Sequence, residues 1–360
     1  MTRTLTIGID QLYRRQPGGI GTYVRGLALG LSQVGPPDLE ILGLAPRGAT
    51  PESVKELALT TTIAALPIEL LTRVWKWRPV GVPGRSTIVH ATSMAGPYGG
   101  GVANAVHSVA MHDLLWREGS SATTARGAKF HEDRLKLLKR RDDLRIFSSS
   151  PGLREQLLAE GIDGARVFNV RLGVDDDGSI AASPDVVRSA LMTHGVHGPF
   201  TLYVGTREPR KNLERLIDAH ARASVESPEL GPLVLAGPAG WGEVATGDAI
   251  VLGTVSRELL KGLYRDATVF AYVAVAEGWG LPPVEALHAG TRVVASTTTP
   301  SVARNVEVVR VDPLDVSAIA QGLKDALSRE DDETSRAARR ASVADLTWAN
   351  SARDHLEGWS

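Results

Sequence analysis

One stretch of the sequence indicates the fold, Glu277-Gly-Trp-Gly-Leu-Pro-Pro-Val-Glu285. It follows an apolar run, Ala267 to Ala276, whose small and β-branched residues are typical of a strand buried on both faces of a parallel sheet. Pro282-Pro283 predicts the first turn of a short helix, because a proline there loses no hydrogen bond, and Gly290 is the expected stop. The stretch therefore predicts a strand, a glycine loop and a helix, with Glu277 at the carboxyl end of the strand.

The glycine loop is suited to bind an anion. Glycines let N–H groups approach a bound group, and a helix amino end adds positive potential, which together favour phosphate. Carboxylates would repel phosphate, so Glu277 and Glu285 are better placed to accept hydrogen bonds from hydroxyl groups beside it. A nucleoside diphosphate sugar offers both kinds of group. A generic α/β turn, in which Glu285 only complements the helix dipole, explains the stretch about equally well.

Length and composition limit the class of protein. At 360 residues the chain is long enough for two doubly wound α/β domains, each with its own core. The formal net charge of −1 gives no argument for nucleic acid as a partner. Cysteine is absent, which excludes disulfides and thiolate chemistry and fits a cytoplasmic location. We expect no signal peptide in the first ten residues and no membrane-spanning segment.

A second glycine-rich loop lies near the amino end. Residues 5–9 are predicted to form a strand, and Gly18-Gly-Ile-Gly21 leads into a predicted helix over residues 22–31, with Thr22 as its N-cap. A dinucleotide fingerprint would need glycine or alanine where this chain has Val24. The pattern therefore does not favour NAD as a cofactor.

Further strands and helices follow in alternation, which predicts parallel sheets. In the first half, strands are expected at 40–44, 87–91, 107–111, 145–149 and 167–170, with a charged helix over 127–141. In the second half, strands are expected at 200–204, 233–236, 250–252, 292–295 and 308–311, with helices over 213–225, 257–264 and 316–327.

Two places at strand ends carry candidate functional residues. His112 follows the strand 107–111, and ligands of such sheets bind at the carboxyl ends of strands, although a lone histidine is more often structural. Arg207, Arg210 and Lys211 lie on the loop after the strand 200–204, within reach of a diphosphate held by the central glycine loop. Their charge would stabilise a departing nucleoside diphosphate.

Basic residues are concentrated in the predicted helix 127–141, and Trp75-Lys-Trp-Arg78 interleaves aromatic and positive side chains. A membrane surface or an anionic acceptor would explain both, but a solvated helix face is the favoured interpretation.

Together these motifs resemble the retaining glycosyltransferases of the GT-B architecture, most closely glycosyltransferase family 4. The resemblance covers nearly the whole chain and rests on these segments: Gly18-Gly-Ile-Gly-Thr-Tyr23, His90-Ala-Thr92, His112-Asp113, Leu172-Gly-Val-Asp175, Tyr203-Val-Gly-Thr-Arg-Glu-Pro-Arg-Lys-Asn-Leu213, Leu252-Gly-Thr-Val255 and Glu277 to Glu285.

The resemblance implies two Rossmann-like doubly wound domains with an interdomain cleft. We expect an acceptor-side domain over 1–178, a linker over 179–198 that follows Asp175-Asp-Asp177, and a donor domain over 199–343. The segment 344–360 is then expected to form a helix that crosses back to the first domain.

The resemblance also assigns roles to single residues. The expected catalytic residues are His112, Glu277 and Lys211, of which His112 and Glu277 contact the donor sugar. Glu285 is expected to bind the ribose, and Val255 to lie against the base. The remaining expected donor contacts are Gly19, Arg207, Arg210, Lys211, Gly278, Trp279, Gly280 and Leu281.

Two departures from the family pattern bear on these assignments. The family often has arginine where this chain has Thr206, which leaves open whether Arg207 or Arg210 contacts phosphate. The segment 297–305 is shorter than the related family segment and lacks its usual Pro-Glu pair.

The implied function is transfer of a hexose, with mannose as the first candidate, from a nucleoside diphosphate sugar to a hydroxyl group of a glycan, glycolipid or small molecule. GDP-mannose is the first candidate donor, and neither a cofactor nor a metal is expected. A cytoplasmic enzyme with a peripheral membrane contact fits a lipid-linked acceptor. A nucleotide-sugar epimerase and a non-catalytic sugar-nucleotide-binding protein are the alternatives. A phosphorylase would need a pyridoxal-binding lysine and a longer chain.

Overall fold

The apolar runs of the sequence form the strands of two parallel sheets. The computed structural model describes residues 2–57, 59–117, 124–174, 180–240, 242 and 244–360. The chain divides into two units, the first built from Met1–Asp177 with Leu346–Ser360 and the second from Gly178–Asp345. Asp175, Asp176 and Asp177, which the sequence assigns to the hinge, lie outside the described residues.

The first unit has a sheet in the order β3-β2-β1-β4-β5-β6-β7 within the described ranges. Its strands are β1 (Arg3–Gly8), β2 (Leu39–Ala45), β3 (Thr60–Ile63), β4 (Ile88–Ala91), β5 (Val106–Met111), β6 (Leu144–Ser148) and β7 (Val167–Asn169). The central strand β1 is buried except at its first residue, as expected when helices cover both faces of a sheet. The prediction missed β3, because this exposed edge strand is rich in threonine and has little apolar content.

The helices of the first unit before the domain boundary are α1 (Gly18–Val34), α2 (Glu52–Lys55), α3 (Ile68–Val74), α4 (Ala125–Lys139) and α5 (Pro151–Ala159). The prediction of Thr22 as the N-cap of α1 is wrong. The helix begins one turn earlier, since the N–H group of Gly21 already donates to the carbonyl group of Pro17 at 3.1 Å.

The second unit has a sheet in the order β10-β9-β8-β11-β12-β13 in the part of the chain that is described. Its strands are β8 (Thr201–Val204), β9 (Leu233–Ala236), β10 (Ile250–Gly253), β11 (Val269–Tyr272), β12 (Val293–Ser296) and β13 (Val308–Val311). Its helices are α6 (Pro184–Met192), α7 (Leu213–Glu226), α8 (Arg257–Asp266), α9 (Leu281–His288), α10 (Val316–Ser328) and α11 (Glu333–Ala341). The chain then ends with α12 (Trp348–Gly358), which belongs to the first unit.

The direction of winding reverses once in each sheet. In the second sheet the chain leaves β8 towards β9 and β10 on one side, and later adds β11 on the other side. The first sheet reverses in the same way between β1 and β4. Ligands of doubly wound sheets bind outside the carboxyl ends of the strands at such a point. None of the helices in the described ranges is both long enough and apolar enough to cross a bilayer.

The central stretch differs from its prediction in one respect. The strand β11 ends at Tyr272, so Glu277 lies five residues beyond it rather than at its end. The ladder stops because the N–H group of Val275 donates to the carbonyl group of Arg210 (2.9 Å) instead of to a neighbouring strand. The predicted helix is present as α9, with both prolines in its first turn, and Gly290 follows it with a left-handed φ of 82°.

The predicted linker over 179–198 is not an irregular segment throughout. It contains α6, which begins after Ser183, whose side chain accepts a hydrogen bond from the N–H group of Val186. Val187 and Leu191 are buried, and α6 packs on α8, where a Cβ at Gly262 would meet Val187. Burial of these two apolar side chains explains why the segment forms a helix here despite the loose composition around it.

The carboxy-terminal helix α12 packs on α1 at very short range. Thr347 caps it by accepting a hydrogen bond from the N–H group of Asn350 at 3.1 Å. Gly26 and Gly30 lie one turn apart on α1, and a Cβ at either position would overlap Trp348. At Gly30 the overlap is with the backbone carbonyl group of Trp348, which cannot rotate away as a side chain can. Glycine is therefore required on α1 for this helix contact.

Replacing Gly30 with alanine is expected to destabilise the first unit. Overpacking against backbone costs about 1–3 kcal/mol, because one of the two helices must shift. Chemical denaturation monitored by circular dichroism measures the change in unfolding free energy.

The matched control is Gly152→Ala on α5, where a Cβ would meet no heavy atom within 4 Å. This control is expected to leave the stability unchanged or slightly raised, since alanine favours a helix. Equal stability of Gly30→Ala and Gly152→Ala would contradict the proposed requirement for glycine on α1.

Candidate functional site

The candidate site of the second unit lies where the loops after β8 and β11 meet, at the reversal of the sheet. Asn212 joins these loops: it has a left-handed backbone (φ 62°), and its Nδ2 donates to the carbonyl groups of Val273 (2.9 Å) and Pro313 (2.6 Å). The bond from Val275 to Arg210 adds a second link. The two loops are thus held together by uncharged hydrogen bonds, in which backbone carbonyl groups accept from an amide side chain and from a backbone N–H group.

Glu277 is the centre of a buried charge cluster in this site. Its Oε2 accepts hydrogen bonds from Lys211 Nζ (2.5 Å), Tyr272 Oη (2.6 Å) and Arg210 Nη1 (3.1 Å). Arg210 also donates from Nε to Glu208 Oε2 at 3.1 Å. The side chain of Lys211 is only 8% exposed and that of Glu277 only 13%. Two cations and two carboxylates therefore balance in a nearly dry environment.

The protonation states in this cluster follow from burial and charge. Burial alone would raise the pKa of Glu277, but the charges of Lys211 and Arg210 outweigh it and lower that pKa to about 2. Burial lowers the pKa of Lys211, against the attraction of Glu277. Burial also raises the pKa of Tyr272 well above its ordinary value, and the charge of Glu277 adds to this. Glu277 is therefore an ionised acceptor, and Tyr272 a protonated donor, at neutral pH.

The predicted phosphate loop, Gly278 to Leu281, has a backbone conformation that requires glycine. Gly280 has φ 95°, and a Cβ there would come within 2.6 Å of Thr299. Ser301 holds the loop from the other side: its N–H group donates to the carbonyl group of Trp279 (3.0 Å), and its hydroxyl group donates to that of Gly280 (2.6 Å). Pro282 and Pro283 have no N–H group, so the donors available to an anion are those of residues 278–281.

Glu285 lies on α9, the helix that follows this loop. Its Oε2 accepts a hydrogen bond from the hydroxyl group of Tyr264 at 2.6 Å, and Tyr264 belongs to the neighbouring helix α8. Burial and the charge of Glu285 raise the pKa of Tyr264 well above its ordinary value. The phenol therefore stays a donor and orients the carboxylate.

The two remaining predicted residues of the second unit lie at the neighbouring strand ends. Arg207 donates from Nη1 to the carbonyl group of Gly237 at 2.9 Å, and its backbone pairs with Ala239. Val255 lies between β10 and α8 and is partly buried. Of the two arginines left open by the sequence, Arg210 is the one that contacts Glu277, whereas Arg207 is attached to the loop after β9.

The predicted residues of the first unit lie at the carboxyl edge of its own sheet. Gly19 is exposed in the first turn of α1. His112 follows β5, and its Nε2 lies 2.8 Å from the carbonyl oxygen of Thr92. A carbonyl group only accepts, so Nε2 carries a proton and Nδ1 of the neutral ring is an acceptor. Burial lowers the pKa of His112, which keeps the ring neutral.

Sequence reasoning missed Tyr264, Tyr272, Glu208 and Ser301. Tyr264 and Tyr272 lie within segments predicted as a plain helix and a plain buried strand, and no local pattern distinguishes a phenol that bonds a carboxylate from one that fills a core. Glu208 lies in a quoted motif but had no assigned role. Its position two residues before Arg210, an opposite charge that it contacts, was the signal available in the sequence.

In the described ranges, no three or more His, Asp or Glu side chains are grouped in a way that could hold a metal ion. The metal independence expected from the sequence stays a prediction.

A family model matches the part of the chain that contains this site. Residues 194–342, which lie in the second unit, match the family Glycosyl transferases group 1. The match covers most of the second unit. The predicted resemblance to glycosyltransferases is confirmed by this match, whereas membership of family 4 and retention of configuration stay predictions.

Two curated relatives are similar to parts of the chain. The O-antigen chain mannosyltransferase B of Escherichia coli is 34% identical over 166 residues, which are 42% of this chain and 43% of that protein. The D-inositol 3-phosphate glycosyltransferase of Mycolicibacterium smegmatis is 30% identical over 214 residues, which are 55% of this chain and 48% of that protein. The chain therefore spans less than half of the length of these curated relatives.

A solved structure is similar over the whole chain. HepE of Anabaena, determined in complex with UDP and glucose, matches 99% of this chain and 98% of its own, with a TM-score of 0.73 and 15% identity. At this level of identity the likeness concerns the fold. The predicted fold class, two Rossmann-like domains of the GT-B architecture, is confirmed.

Glu277→Gln is expected to destabilise the second unit. The amide would leave the charges of Lys211 and Arg210 without their shared carboxylate in a buried site, which costs about 3 kcal/mol when a buried pair is broken. Denaturant unfolding of the variant and the wild-type protein measures this difference. Asp185→Asn is the control, since that carboxylate pairs with Arg188 at an exposed position and should contribute little.

The effect of Glu277→Gln is also expected to depend on pH in one direction. The pKa of Glu277 falls from an ordinary value of 4.5 to about 2 in the folded protein, so its contribution is complete above pH 4.5 and is lost as the pH falls towards 2. The stability difference between wild type and variant should shrink over that range. A difference that grew on acidification would contradict an ionised Glu277.

Proposed function

We propose that this protein is a retaining glycosyltransferase that moves a hexose from a nucleoside diphosphate sugar to an acceptor hydroxyl group. The observation that carries the proposal is the bonding of Glu277 to Lys211, Arg210 and Tyr272, immediately before the glycine loop of the segment that matches the family Glycosyl transferases group 1. This cluster supplies an oriented carboxylate next to N–H and ammonium donors. A sugar hydroxyl group and a diphosphate need these two kinds of partner.

In this proposal Glu277 binds the donor sugar through Oε1. Three donors already hold Oε2, and the described partner of Oε1 is the N–H group of Gly278 at a long 3.3 Å. Each carboxylate oxygen has two lone pairs, and the contact with Gly278 uses at most one of those on Oε1, so a sugar hydroxyl group can donate to the other. The anchoring of Oε2 means that the carboxylate need not reorganise when the sugar binds.

The diphosphate is assigned to the donors beside Glu277. Glycine without a Cβ lets the N–H groups of residues 278–281 come close to a phosphate, and Gly280 has the left-handed φ that favours glycine. Lys211 Nζ has three donor positions, and its described hydrogen bonds to Tyr272 and Glu277 use two of them. Arg210 is the arginine we assign to the phosphate, because it lies beside Lys211 and Glu277, whereas Arg207 is attached to the loop after β9.

The nucleoside is assigned to the far side of the loop. Glu285 binds the ribose hydroxyl groups, and its carboxylate is oriented for this by Tyr264. Val255 lies at the end of β10, where the base would pack against backbone. In the first unit, Gly19 is assigned to the donor phosphate and His112, with Nδ1 as an acceptor, to the donor sugar.

The proposed transfer exchanges two bonds at the anomeric carbon of the sugar. Its bond to the phosphate oxygen breaks, its bond to the acceptor oxygen forms on the same face, and the acceptor proton passes to the departing diphosphate. Lys211, Arg210 and the loop N–H groups stabilise the charge that develops on the leaving group. In a site with little water, such oriented donors contribute several kcal/mol.

The substrates are proposed from the relatives. One relative is named as a mannosyltransferase of an O-antigen chain and another as a glycosyltransferase of inositol phosphate, and HepE was solved with UDP and glucose. We therefore assign a hexose donor, with GDP-mannose as the first candidate and UDP-glucose as the second, and a glycan or lipid-linked acceptor.

We also propose a cytoplasmic enzyme with a peripheral membrane contact. Leu70 and Trp77 are seven residues apart in and after α3, and they are 45% and 65% exposed. The basic residues Arg73 and Arg78 lie beside them and are exposed. Apolar and basic side chains in this arrangement favour an interface with anionic lipid.

Nucleotide binding is tested by a thermal-shift screen against GDP, UDP, ADP and dTDP, each alone and as a sugar conjugate, without metal and then with magnesium. A ligand at about a hundredfold excess over its dissociation constant stabilises the folded state by about 2.7 kcal/mol. We expect a metal-independent shift for one base that is lost in Glu285→Ala and kept in the exposed control Asp185→Ala. A folded protein that shows no shift with any nucleotide would contradict the proposal.

Turnover is tested with Lys211→Ala. Loss of the ammonium group is expected to lower kcat for donor hydrolysis or transfer by about 10²–10³-fold, as for other oriented donors of a leaving group. Lys324→Ala removes a surface cation of the same unit and should leave kcat unchanged. Unchanged turnover in a folded Lys211→Ala protein would exclude this role. Product analysis without acceptor would show isomerised donor if the protein were an epimerase.

A further inference from the structure

A buried chain of hydrogen-bonded rings crosses the first unit and has no part in the transfer described above. It joins Tyr23 of α1, His90 of β4 and His355 of α12, which are 1%, 0% and 0% exposed. The hydroxyl oxygen of Tyr23 lies 2.8 Å from Nε2 of His90 and 2.8 Å from Nε2 of His355. One phenol thus links the carboxy-terminal helix to the central sheet.

The direction of each hydrogen bond follows from the groups at the two ends. At one end, Nδ1 of His355 lies 2.7 Å from the backbone carbonyl oxygen of Ser351, which only accepts, so His355 carries its proton on Nδ1. Its Nε2 must then accept from the hydroxyl group of Tyr23. The phenol oxygen is left to accept from Nε2 of His90.

The other end of the chain agrees with this direction. With its proton on Nε2, His90 accepts at Nδ1 from the hydroxyl group of Ser108, 2.9 Å away. Ser108 in turn accepts from Nε1–H of Trp359 at 2.8 Å, and an indole N–H only donates. Every polar atom of the chain is therefore satisfied in one arrangement, with both histidines neutral.

Protonation of either histidine would disrupt this arrangement. A proton on Nε2 of His355 would direct a second N–H group at the phenol oxygen, and the proton of Tyr23 would lose its acceptor. Burial lowers the pKa of His355 to about 4, although the hydrogen bond to Ser351 and the charge of Asp354 oppose this. Burial also lowers the pKa of His90 well below its ordinary value. Neutral rings are thus the stable state near neutral pH.

Tyr23, in the middle of this chain, packs against His112. The rings of Tyr23 and His112 meet edge to face, with centroids 5.0 Å apart and planes at 74°. His112 is held on another side by Thr92, which follows the same strand as His90 and whose hydroxyl group donates to the carbonyl group of Gly8 at 2.6 Å. The orientation of His112 thus depends on the position of the Tyr23 ring, which the two buried histidines determine.

We propose that Tyr23, His90 and His355 form a positioning network for His112, through which the carboxy-terminal helix takes part in the transfer reaction. This inference rests on the proposed function, because it takes His112 as a contact of the donor sugar. Tyr23 and His355 are positioning residues, since they act through His112. The network makes α12 part of the sugar side of the reaction as well as a packing element.

The first test is made on the wild-type protein and does not depend on activity. Long-range proton–nitrogen NMR of the protein labelled at histidine reports which ring nitrogen carries the proton. We expect Nδ1–H for His355 and Nε2–H for His90 and His112. Nε2–H at His355, or Nδ1–H at His90, would overturn the network even if no variant folds.

The second test compares Tyr23→Phe and His355→Phe with the control His107→Phe. His107 is also buried (3% exposed) and lies on β5, the strand that leads to His112, but it bonds the backbone of Val102 outside the chain. The probes are GDP-mannose and UDP-glucose, whose hydrolysis without acceptor is followed for kcat and KM.

We expect both network variants to lower kcat about tenfold to a hundredfold, because a misplaced contact near the reacting carbon has that effect. KM and the nucleotide-induced thermal shift should change little, since most of the assigned donor contacts lie in the second unit. Tyr23→Phe should also move the NMR signals of His112, and His107→Phe should change none of these quantities. Wild-type kcat in a folded Tyr23→Phe protein would overturn the inference.

The same experiments distinguish failure of the proposed function from failure of the network. If the wild-type protein hydrolyses neither donor, transfer chemistry with these donors is contradicted, while the NMR signals of His112 still decide whether Tyr23 positions it. Unmoved His112 signals in Tyr23→Phe would then overturn the network by itself.

Discussion

The ion pair of Lys211 and Glu277 is the interaction on which the second unit depends. Both side chains are nearly excluded from water, and removing two charges from water is unfavourable unless each finds several partners. Tyr272 and Arg210 supply such partners. Together with Lys211, they donate three hydrogen bonds to Glu277 Oε2. Because the partners come from the loops after β8 and β11 and from the end of β11 itself, the pair also holds the two loops at one place.

The parallel sheet explains why these groups meet. The carboxyl ends of β8 and β11 are neighbours only because the chain changes direction between them, which opens the edge of the sheet at that point. Asn212 then joins the loops through its amide group, and Ser301 holds the glycine loop from its other side. The loops that carry the charged groups are thus positioned by neutral hydrogen bonds as well as by the ion pair.

In the first unit, uncharged groups surround the candidate site residue. Its carboxyl edge carries His112, and the buried groups behind it are two neutral histidines and a phenol that satisfy one another. An ion pair joins Arg171, which follows β7, to Asp354 of α12. Gly26 and Gly30 allow this helix to approach α1 so closely that His355 can reach Tyr23. The hydrogen-bond chain therefore depends on the close packing of α1 against α12.

The sequence by itself determined the alternation of strands and helices, the two glycine loops, and the placing of Glu277, Glu285 and Lys211 near strand ends, because these features have local signals. Periodic apolar residues, glycine and proline act over a few positions. They predicted most central strands to within one or two residues, although β11 ends at Tyr272 and not at the end of the apolar run. The exposed strand β3 and the helix α6 were missed, since their composition resembles that of a loop. Only the tertiary structure decided that Arg210 rather than Arg207 bonds Glu277, that Tyr272 and Tyr264 orient the two carboxylates, and that His355 reaches Tyr23 across 332 positions of sequence. These contacts join residues that are distant in the chain, and no local pattern records them because each depends on how whole elements pack.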